Sequence, residues 1–466
     1  MLLNPYFDRT VYAPAMGLGF LATYVKKKVD CDIKVYDPIV KKLNRTTLLE
    51  EIKTCDFLGM ICFTESRFQC FKFAQDAKRI NPNIKIIIGG PHVIGLDILI
   101  LVKYYFIDFI VRNEGEESFL EIIQNKPAKN ILGITWRNSN GETVQNKDRP
   151  LTENISLYEY DYELINDIFQ WKDGEVNMKL RNVNHLPIIA SRGCPYRCSF
   201  CASFNQWRCN YRSIPPKELV DLMESLVNKY NIHYFRFYDA LFMGSDYRLI
   251  EFSKEILKRN LNISFRIDLR VNTRLEALTH LRKAGCEIVG FGLESGSNKI
   301  LKRINKGVTY LDTITILKNC KKLGFWTIGF FMISLPDETQ SDMNATFKLF
   351  KYLQVYNLQF FKIHPGTPFY TELKNKQLIE DTVWFDNSMP DELFHSKELF
   401  ITAIYSRKEI NTIIINSFYR FCINYPFLIY SRHGYFKGSF YILGSIVDTL
   451  LNGFLHRTIY SKLIRN

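Results

Sequence analysis

Along the first 125 residues, short apolar runs alternate with amphipathic stretches whose apolar positions recur every three to four residues. The runs Leu2–Asn4, Ile33–Tyr36, Phe57–Cys62, Ile84–Ile88 and Ile107–Val111 read as strands, and the stretches near 18–29, 67–80 and 93–104 read as helices. Short, fully apolar strands separated by helices predict a parallel sheet covered on both faces. Ligands of such sheets sit beyond the carboxyl ends of the strands. That rule singles out three loops: Cys62-Phe63-Thr64-Glu65-Ser66, Gly89-Gly90-Pro91-His92 and Arg112-Asn113-Glu114-Gly115-Glu116.

Residues 126–185 form a connector, in which Ile134-Thr135-Trp136 and Thr143-Val144 flank Asn140-Gly141, a hairpin signal. The acidic and aromatic stretch Leu157–Tyr162 carries no assignable role. Over 186–375 a second alternation begins. Its strand candidates are Pro187–Ser191, His233–Tyr238, Ile263–Ile267, Glu287–Gly292, Trp326–Ser334 and Leu358–Ile363. Helical patterns near 216–230, 246–260, 273–284, 309–323 and 338–353 separate them, and six strands with intervening helices predict an open or partial α/β barrel. Beyond 376 the pattern turns helical and aromatic, and residues 401–466 hold eight Lys and Arg against two Asp and Glu, a local charge of +6.

Composition changes this picture little. The formal charge of +13 is spread along the chain rather than gathered in one patch, so nucleic acid is not an expected partner. The eleven cysteines are odd in number and unevenly spaced, which argues against a secreted disulfide scaffold and for reduced thiols in the cytoplasm. No signal peptide is expected, and no apolar run reaches the roughly 18–20 residues needed to span a bilayer.

The strongest chemical signal is Arg192-Gly193-Cys194-Pro195-Tyr196-Arg197-Cys198-Ser199-Phe200-Cys201, directly after a predicted strand. Thiolates are the ligands of iron–sulfur clusters, and three of them leave one iron of a four-iron cubane open. Gly193 and Pro195 suit a tight loop. A closed zinc site is the alternative; it needs a fourth ligand, for which Cys209 is the nearest thiol.

This run resembles the cluster motif of radical S-adenosylmethionine enzymes, with Phe200 as the aromatic residue before the third cysteine. The resemblance implies a [4Fe–4S] cluster on Cys194, Cys198 and Cys201, with S-adenosylmethionine on the open iron and its reductive cleavage to a 5′-deoxyadenosyl radical. Further matches follow in chain order. Phe237–Phe242, containing Asp239, resembles the end of the second barrel strand, and Arg266-Ile267-Asp268 the end of the third. Gly290–Ser297, with Glu294 and Ser295, is similar to the fourth-strand segment that approaches the cofactor; Lys302–Gly307 follows it, and Gly329–Pro336 resembles the fifth-strand motif. The resemblance thus gives S-adenosylmethionine contacts to Phe200, Asp239, Asp268, Glu294 and Ser295. Local capping is the alternative for Asp239, Glu294 and Ser295.

The first 125 residues resemble the cobalamin-binding domain that precedes the barrel in one large subgroup, through Pro14–Ala22, Gly89–His92 and Arg112–Glu116. The implied cobalamin contacts are Gly17, Gly19, Thr64, Glu65, Ser66, Gly89, Gly90, Pro91, Glu114, Gly115 and Glu116. One departure stands at Asp37-Pro38-Ile39-Val40. Cobalamin proteins that ligate cobalt by histidine carry D-x-H-x-x-G there, whereas this chain has Ile39 and Lys42 at the His and Gly positions, an absence common in the radical subgroup. His92 is read as a loop residue rather than a cobalt ligand.

The fold implied is α/β: a flavodoxin-like (Rossmann-like) parallel sheet over 1–125, a connector over 126–185, a six-stranded partial (β/α) radical SAM barrel over 186–375, and a helical substrate or cap region over 376–466. The activity implied is cobalamin-dependent methyl transfer to unactivated carbon of a biosynthetic intermediate. A cobalamin-assisted oxidative cyclisation or rearrangement is the alternative, and a methylthiotransferase-like enzyme the second. A small-molecule, lipid or peptide substrate and an electron donor such as flavodoxin or ferredoxin are the expected partners. The basic aromatic C-terminal stretch permits peripheral membrane contact, and a solvated helical cap is its plainer reading. The catalytic residues are not assigned by any spacing.

Overall fold

The computed structural model describes residues 1–5, 14–38, 40, 43–170 and 185–385. The C-terminal expectations from residue 386 onward, together with Ile39 and Lys42, therefore lie outside the described residues. The chain divides into two compact units. Of the described residues, the first holds those of Met1–Asp268, Lys283–Gly285 and 363–385; the second holds Leu269–Arg282 and Cys286–Lys362. Among the described residues no helix is long and apolar enough to cross a membrane.

The first unit opens with strands β1 (Leu2–Leu3), β2 (Val35–Tyr36), β3 (Phe57–Ile61), β4 (Lys85–Gly89) and β5 (Phe109–Val111). They lie parallel in the order β2-β1-β3-β4-β5. This is the flavodoxin-like order, whose switch point between β1 and β3 is where such sheets take ligands. The apolar runs form central strands because both faces are covered. The helix Arg67–Ile80 buries Cys70, Phe71, Phe73, Ala74 and Ala77. Helices Met16–Lys28 and Glu116–Ile123 join one apolar cluster with Leu2, Ile87, Val111 and Ile134.

The hairpin expected in the connector belongs instead to this sheet. Strands β6 (Ile134–Arg137) and β7 (Thr143–Gln145) continue it antiparallel, with Phe109 opposite Trp136 and Trp136 opposite Val144. Asn138 Oδ1 accepts the backbone N–H groups of Asn140 and Glu142, both at 2.9 Å, and fixes the turn. The stretch Leu157–Tyr162 also gains a role: it packs on the helix Met16–Lys28. Phe20 meets Tyr160 and Tyr24 meets Tyr158 edge-on, with centroids 5.1 and 5.3 Å apart.

Still within the first unit, β8 (His185–Ile188) pairs in parallel with β11 (Tyr234–Phe237), and β11 with β12 (Ser264–Leu269). Helices Pro216–Tyr230 and Asp246–Lys258 separate them. Fully buried Phe237, Phe242, Phe252 and Phe265 interlock beneath these strands. A short antiparallel ladder, β9 (Ser191–Arg192) with β10 (Arg212–Ser213), brackets the cysteine motif.

The second unit carries the remaining parallel strands, β13 (Cys286–Glu294), β14 (Trp326–Ile333) and β15 (Val355–Phe360). Capping boxes start its helices Tyr310–Leu323, at Thr309 and Asp312, and Gln340–Phe347, at Thr339 and Asp342. Such caps are worth about 1 kcal/mol each. Strand β15 begins three residues earlier than the apolar pattern indicates. Gln354 Oε1 accepts both Thr327 N–H and Thr327 Oγ1, which sets the chain beside β14 before the apolar run starts.

Candidate active site

The cysteine loop hangs from β9 and β10, where Arg192 stands opposite Arg212 and Ser191 opposite Ser213. Gly193 takes φ +86°, and a Cβ there would lie 2.0 Å from the Asn210 carbonyl oxygen, so no other residue fits. Cys198 is buried, and Cys201 N–H donates to the Cys198 carbonyl at 3.1 Å to form a turn between the second and third thiols. Ser199 O accepts from Phe369 N–H, and Asn205 Nδ2 donates to the Pro365 carbonyl, so the segment after β15 also holds the loop. Cys209 Sγ donates to the Tyr196 carbonyl at 3.9 Å. Among the described residues no three His, Cys, Asp or Glu side chains are grouped closely enough to hold a metal ion, and no disulfide links the ten described cysteines. The case for the triad therefore rests on donor type, spacing and the pinned loop.

Asp239 follows β11 and is buried. Its Oδ1 accepts Ala190 N–H at 3.0 Å and Ser191 Oγ–H at 2.5 Å, which ties it to the strand leading into the cysteine loop. Its Oδ2 is buried with no hydrogen-bond partner. Burial pushes the carboxyl up to about 7, against the pull of the Ser191 and Ala190 hydrogen bonds. Asp268, at the end of β12, accepts Arg236 Nη2 at 2.9 Å. Phe200 is half-buried in the loop.

In the second unit, Glu294 ends β13 at an irregularity between Gly292 and Glu294, with φ +62°. That left-handed conformation is costly for a glutamate and turns up preferentially at functional positions. Its Oε1 accepts Lys306 Nζ at 2.8 Å, and both side chains are buried. Ser295 Oγ shares a hydrogen bond with Thr346 Oγ1 at 3.2 Å and accepts Ser297 N–H. Ser297 in turn caps the helix Asn298–Arg303.

Within the first unit a cavity of about 330 Å³ opens beyond the carboxyl ends of β3, β4 and β5. Of the expected cobalamin contacts, Gly17, Gly89, Gly90, Pro91, Glu114, Gly115 and Glu116 line it; Gly19, Thr64, Glu65 and Ser66 do not. Gly19 has a packing reason, because a Cβ there would meet the Tyr160 ring at 2.3 Å. Thr64 Oγ1 bonds His92 Nδ1 at 3.2 Å, and Ser66 Oγ accepts Phe63 N–H. His92 is fully buried, and burial, with the nearby Arg67 and His364 charges, pushes its ring down to about 3. Asp37 is buried and accepts Asn4 Nδ2 and Ala15 N–H.

Ser191, Arg192, Gly193, Tyr238 and Ala240 line the same cavity, so the N-terminal turns and the foot of the cysteine loop share one wall. Sequence reasoning missed what joins them. Glu114 and Glu116 receive Arg192 Nη1 at 3.1 Å and Arg192 Nη2 at 2.5 Å, respectively, and Glu114 also receives Arg212 Nη1 at 2.8 Å. The Arg192 guanidinium lies over the rings of Phe20 and Tyr158. Burial alone would lower Arg192; Glu116 and Glu114 outweigh it and hold the guanidinium above its ordinary value. Separations of 76 to 98 residues leave no local signal for these pairs.

Comparison with known proteins bears out the architecture. Residues 188–350 match the Radical SAM superfamily. An uncharacterized methyltransferase of Pyrococcus horikoshii, PH0819, is 29% identical over 435 residues, 91% of each chain. An anaerobic magnesium-protoporphyrin IX monomethyl ester cyclase of Rubrivivax gelatinosus is 26% identical over 95% of this chain and 79% of its own. Among solved structures, the radical S-adenosylmethionine methyltransferase TsrM from Kitasatospora setae, with cobalamin and a [4Fe–4S] cluster bound, superposes with a TM-score of 0.65. That match covers 80% of this chain and 74% of TsrM at 18% identity, a likeness of fold. The chain thus carries a Radical SAM superfamily domain over residues 188–350, set behind a flavodoxin-like α/β sheet.

Proposed function

We propose that this chain is a radical SAM enzyme that uses a [4Fe–4S] cluster, S-adenosylmethionine and cobalamin to methylate an unactivated carbon of a small-molecule substrate. The observation that carries the reading is the cavity walled jointly by the glycine turns of the N-terminal sheet and by Arg192 and Gly193 at the foot of the cysteine loop. The residues suit the groups. Cys194, Cys198 and Cys201 on one pinned loop are the donor set of a cubane with one open iron. Gly17 offers bare backbone to the cavity, with nothing within 4 Å of where a Cβ would stand. The buried, unpartnered Oδ2 of Asp239 is an acceptor available to an ammonium group, such as the amine of S-adenosylmethionine.

When bound, these groups would supply reductive cleavage of the sulfonium and relay of a methyl group. The chain's own part is to hold and to exclude water. Asp239 would orient the amine, and the apolar cavity wall of Leu18, Phe20, Met60 and Phe119 would keep solvent out. His92 has no part in metal ligation in this reading, since it is fully buried and does not line the cavity. An electron-donor protein of the flavodoxin or ferredoxin class and a cytoplasmic location, consistent with ten described cysteines outside any disulfide, complete the proposal.

Anaerobic expression with cobalamin supplied, followed by turnover of methyl-labelled S-adenosylmethionine with dithionite, tests it. About four irons per chain, cobalamin absorbance, 5′-deoxyadenosine and S-adenosylhomocysteine are expected together. Cobalamin and 5′-deoxyadenosine without S-adenosylhomocysteine would replace methyl transfer by oxidative cyclisation, the second reading, which the 26% identity to the cyclase over 79% of its length favours. Iron and 5′-deoxyadenosine without cobalamin would end both.

A further inference from the structure

Arg192 and Arg212 face each other directly across the β9–β10 ladder, which is only two residue pairs long. Like charges directly opposed on antiparallel strands destabilise the pair. Here both guanidinium groups are also withdrawn from water, with side chains 10% and 6% exposed. On its own, then, this ladder would be destabilised, and with it the root of the loop from Gly193 to Tyr211 that bears all three candidate cluster cysteines.

Two carboxylates of the N-terminal sheet offset that repulsion. Glu114 Oε1 lies between the guanidinium groups, 3.1 Å from Arg192 Nη1 and 2.8 Å from Arg212 Nη1, and Glu116 Oε1 takes Arg192 Nη2 at 2.5 Å. Glu114 Oε2 is anchored by Thr152 N–H at 2.9 Å, and Arg212 Nη1 reaches the Thr152 carbonyl at 2.7 Å. Arg212 Nε and Nη2 are buried without partners, so among the described residues Glu114 is the counter-ion on which Arg212 depends. Removing one partner of such a buried set leaves an uncompensated charge, a far larger penalty than loss of a surface pair.

We propose that Glu114 and Glu116, with Arg192 and Arg212, are positioning residues for the cysteine loop: an ionic clasp that closes the root of the loop only while the turn 112–116 at the end of β5 is in place. Glu114, Glu116, Arg192 and Gly193 all line the cavity, so whatever fills it touches the clasp and the root of the loop together. What the loop holds rests on the function proposed above; the clasp itself does not.

The test is the rate of iodoacetamide labelling of the full-length chain, purified anaerobically before iron is added, mapped cysteine by cysteine by mass spectrometry. Cys286 and Cys320, both buried in the other unit, are the internal reference. Glu114→Gln and Glu116→Gln should speed labelling of Cys194, Cys198 and Cys201 about tenfold or more while Cys286 and Cys320 keep their wild-type rates. The double variant Glu114→Gln with Arg212→Met removes the buried cation together with its counter-ion, leaves Arg192 on Glu116, and should bring labelling back toward wild type. Unchanged labelling of the three thiols in both glutamine variants overturns the clasp. So does a rise shared by every cysteine that the double variant leaves in place, since that would be general loosening of the fold. If the wild-type chain takes up iron but no cobalamin, the function proposal fails while the labelling result stands.

Discussion

The two units hold their candidate site residues by different means. In the first, the cysteine loop is fixed from far along the chain: its root is paired with carboxylates 76 to 98 residues away and its middle with Pro365 and Phe369. In the second, Glu294 is fixed by Lys306, twelve residues on, through the short helix Asn298–Arg303 that directly follows its strand. A site held locally survives as long as its own strand and helix do. A site held from a distance depends on remote parts of its unit being folded.

The largest effects should come from the loop itself. Replacing any one of Cys194, Cys198 or Cys201 by Ser should abolish 5′-deoxyadenosine formation and drop iron content after reconstitution to near the background of the triple variant. Cys209→Ser should leave both intact, because its thiol is engaged with the Tyr196 carbonyl. Iron loss in Cys209→Ser to the level of the triad variants would favour the closed four-ligand site instead.

Gly193→Ala should come next. The added methyl would stand 2.0 Å from the Asn210 oxygen at a φ of +86°, so the loop must move. Iron uptake should fall strongly while far-ultraviolet circular dichroism stays at wild type. Normal iron uptake would mean that the loop tolerates displacement and is less tightly positioned than its contacts imply.

In the second unit, Lys306→Met should leave Glu294 buried without its cation, and breaking a buried ion pair from one side costs about 3–5 kcal/mol. Denaturant unfolding should show that loss, and Glu294→Gln combined with Lys306→Met should recover most of it. Cysteine-loop labelling should stay at the wild-type rate in the single variant. A change there would erase the contrast between locally and distantly held sites.

How much of this was legible in the sequence follows the same division. Much of the order of strands and helices was readable because apolar periodicity is local, and helices 67–80 and 216–230 coincide with Arg67–Ile80 and Pro216–Tyr230, whereas the short helices Arg45–Glu51, Glu116–Ile123 and Asn298–Arg303 were not foreseen. The cysteine motif was readable because its spacing is. The assignment of the hairpin 134–145 to the first sheet was not, since pairing of Phe109 with Trp136 leaves no mark in either segment. Nor was the partner of Glu114 and Glu116, which read as cofactor contacts from their motif while their carboxylates are held by Arg192 and Arg212. Gly19 shows the same limit: beside Gly17 it looked like part of one cofactor turn, yet its missing side chain makes room for Tyr160.

The smallest effect separates the units by pH. Burial, with the Arg67 and His364 charges, pushes His92 of the first unit from 6.5 down to about 3. The unfolded chain binds a proton that the folded unit refuses, so the stability His92 contributes is whole above pH 6.5 and is lost as pH falls toward 3. Glu338 of the second unit is pushed the other way, from 4.5 up to about 8, by burial; Asp342 adds to the rise, and Lys299 and the Leu335 and Ser334 N–H groups oppose it. Its contribution is whole below pH 4.5 and is lost as pH rises through 8. Asp239 gives the first unit a similar alkaline loss, from 3.8 up to about 7, and Asp342 of the second unit, held down at about 2, loses its contribution only below 3.8, so between pH 4 and 9 only the acid-side loss distinguishes the units. Thermal unfolding from pH 4 to 9 should therefore show Glu338→Gln removing part of the alkaline decline and leaving the acid side untouched, and His92→Asn flattening the acid side alone. An acid side unchanged by His92→Asn would mean that the ring keeps its ordinary titration and that the tight packing of the first unit around Thr64 and Trp384 opens to water.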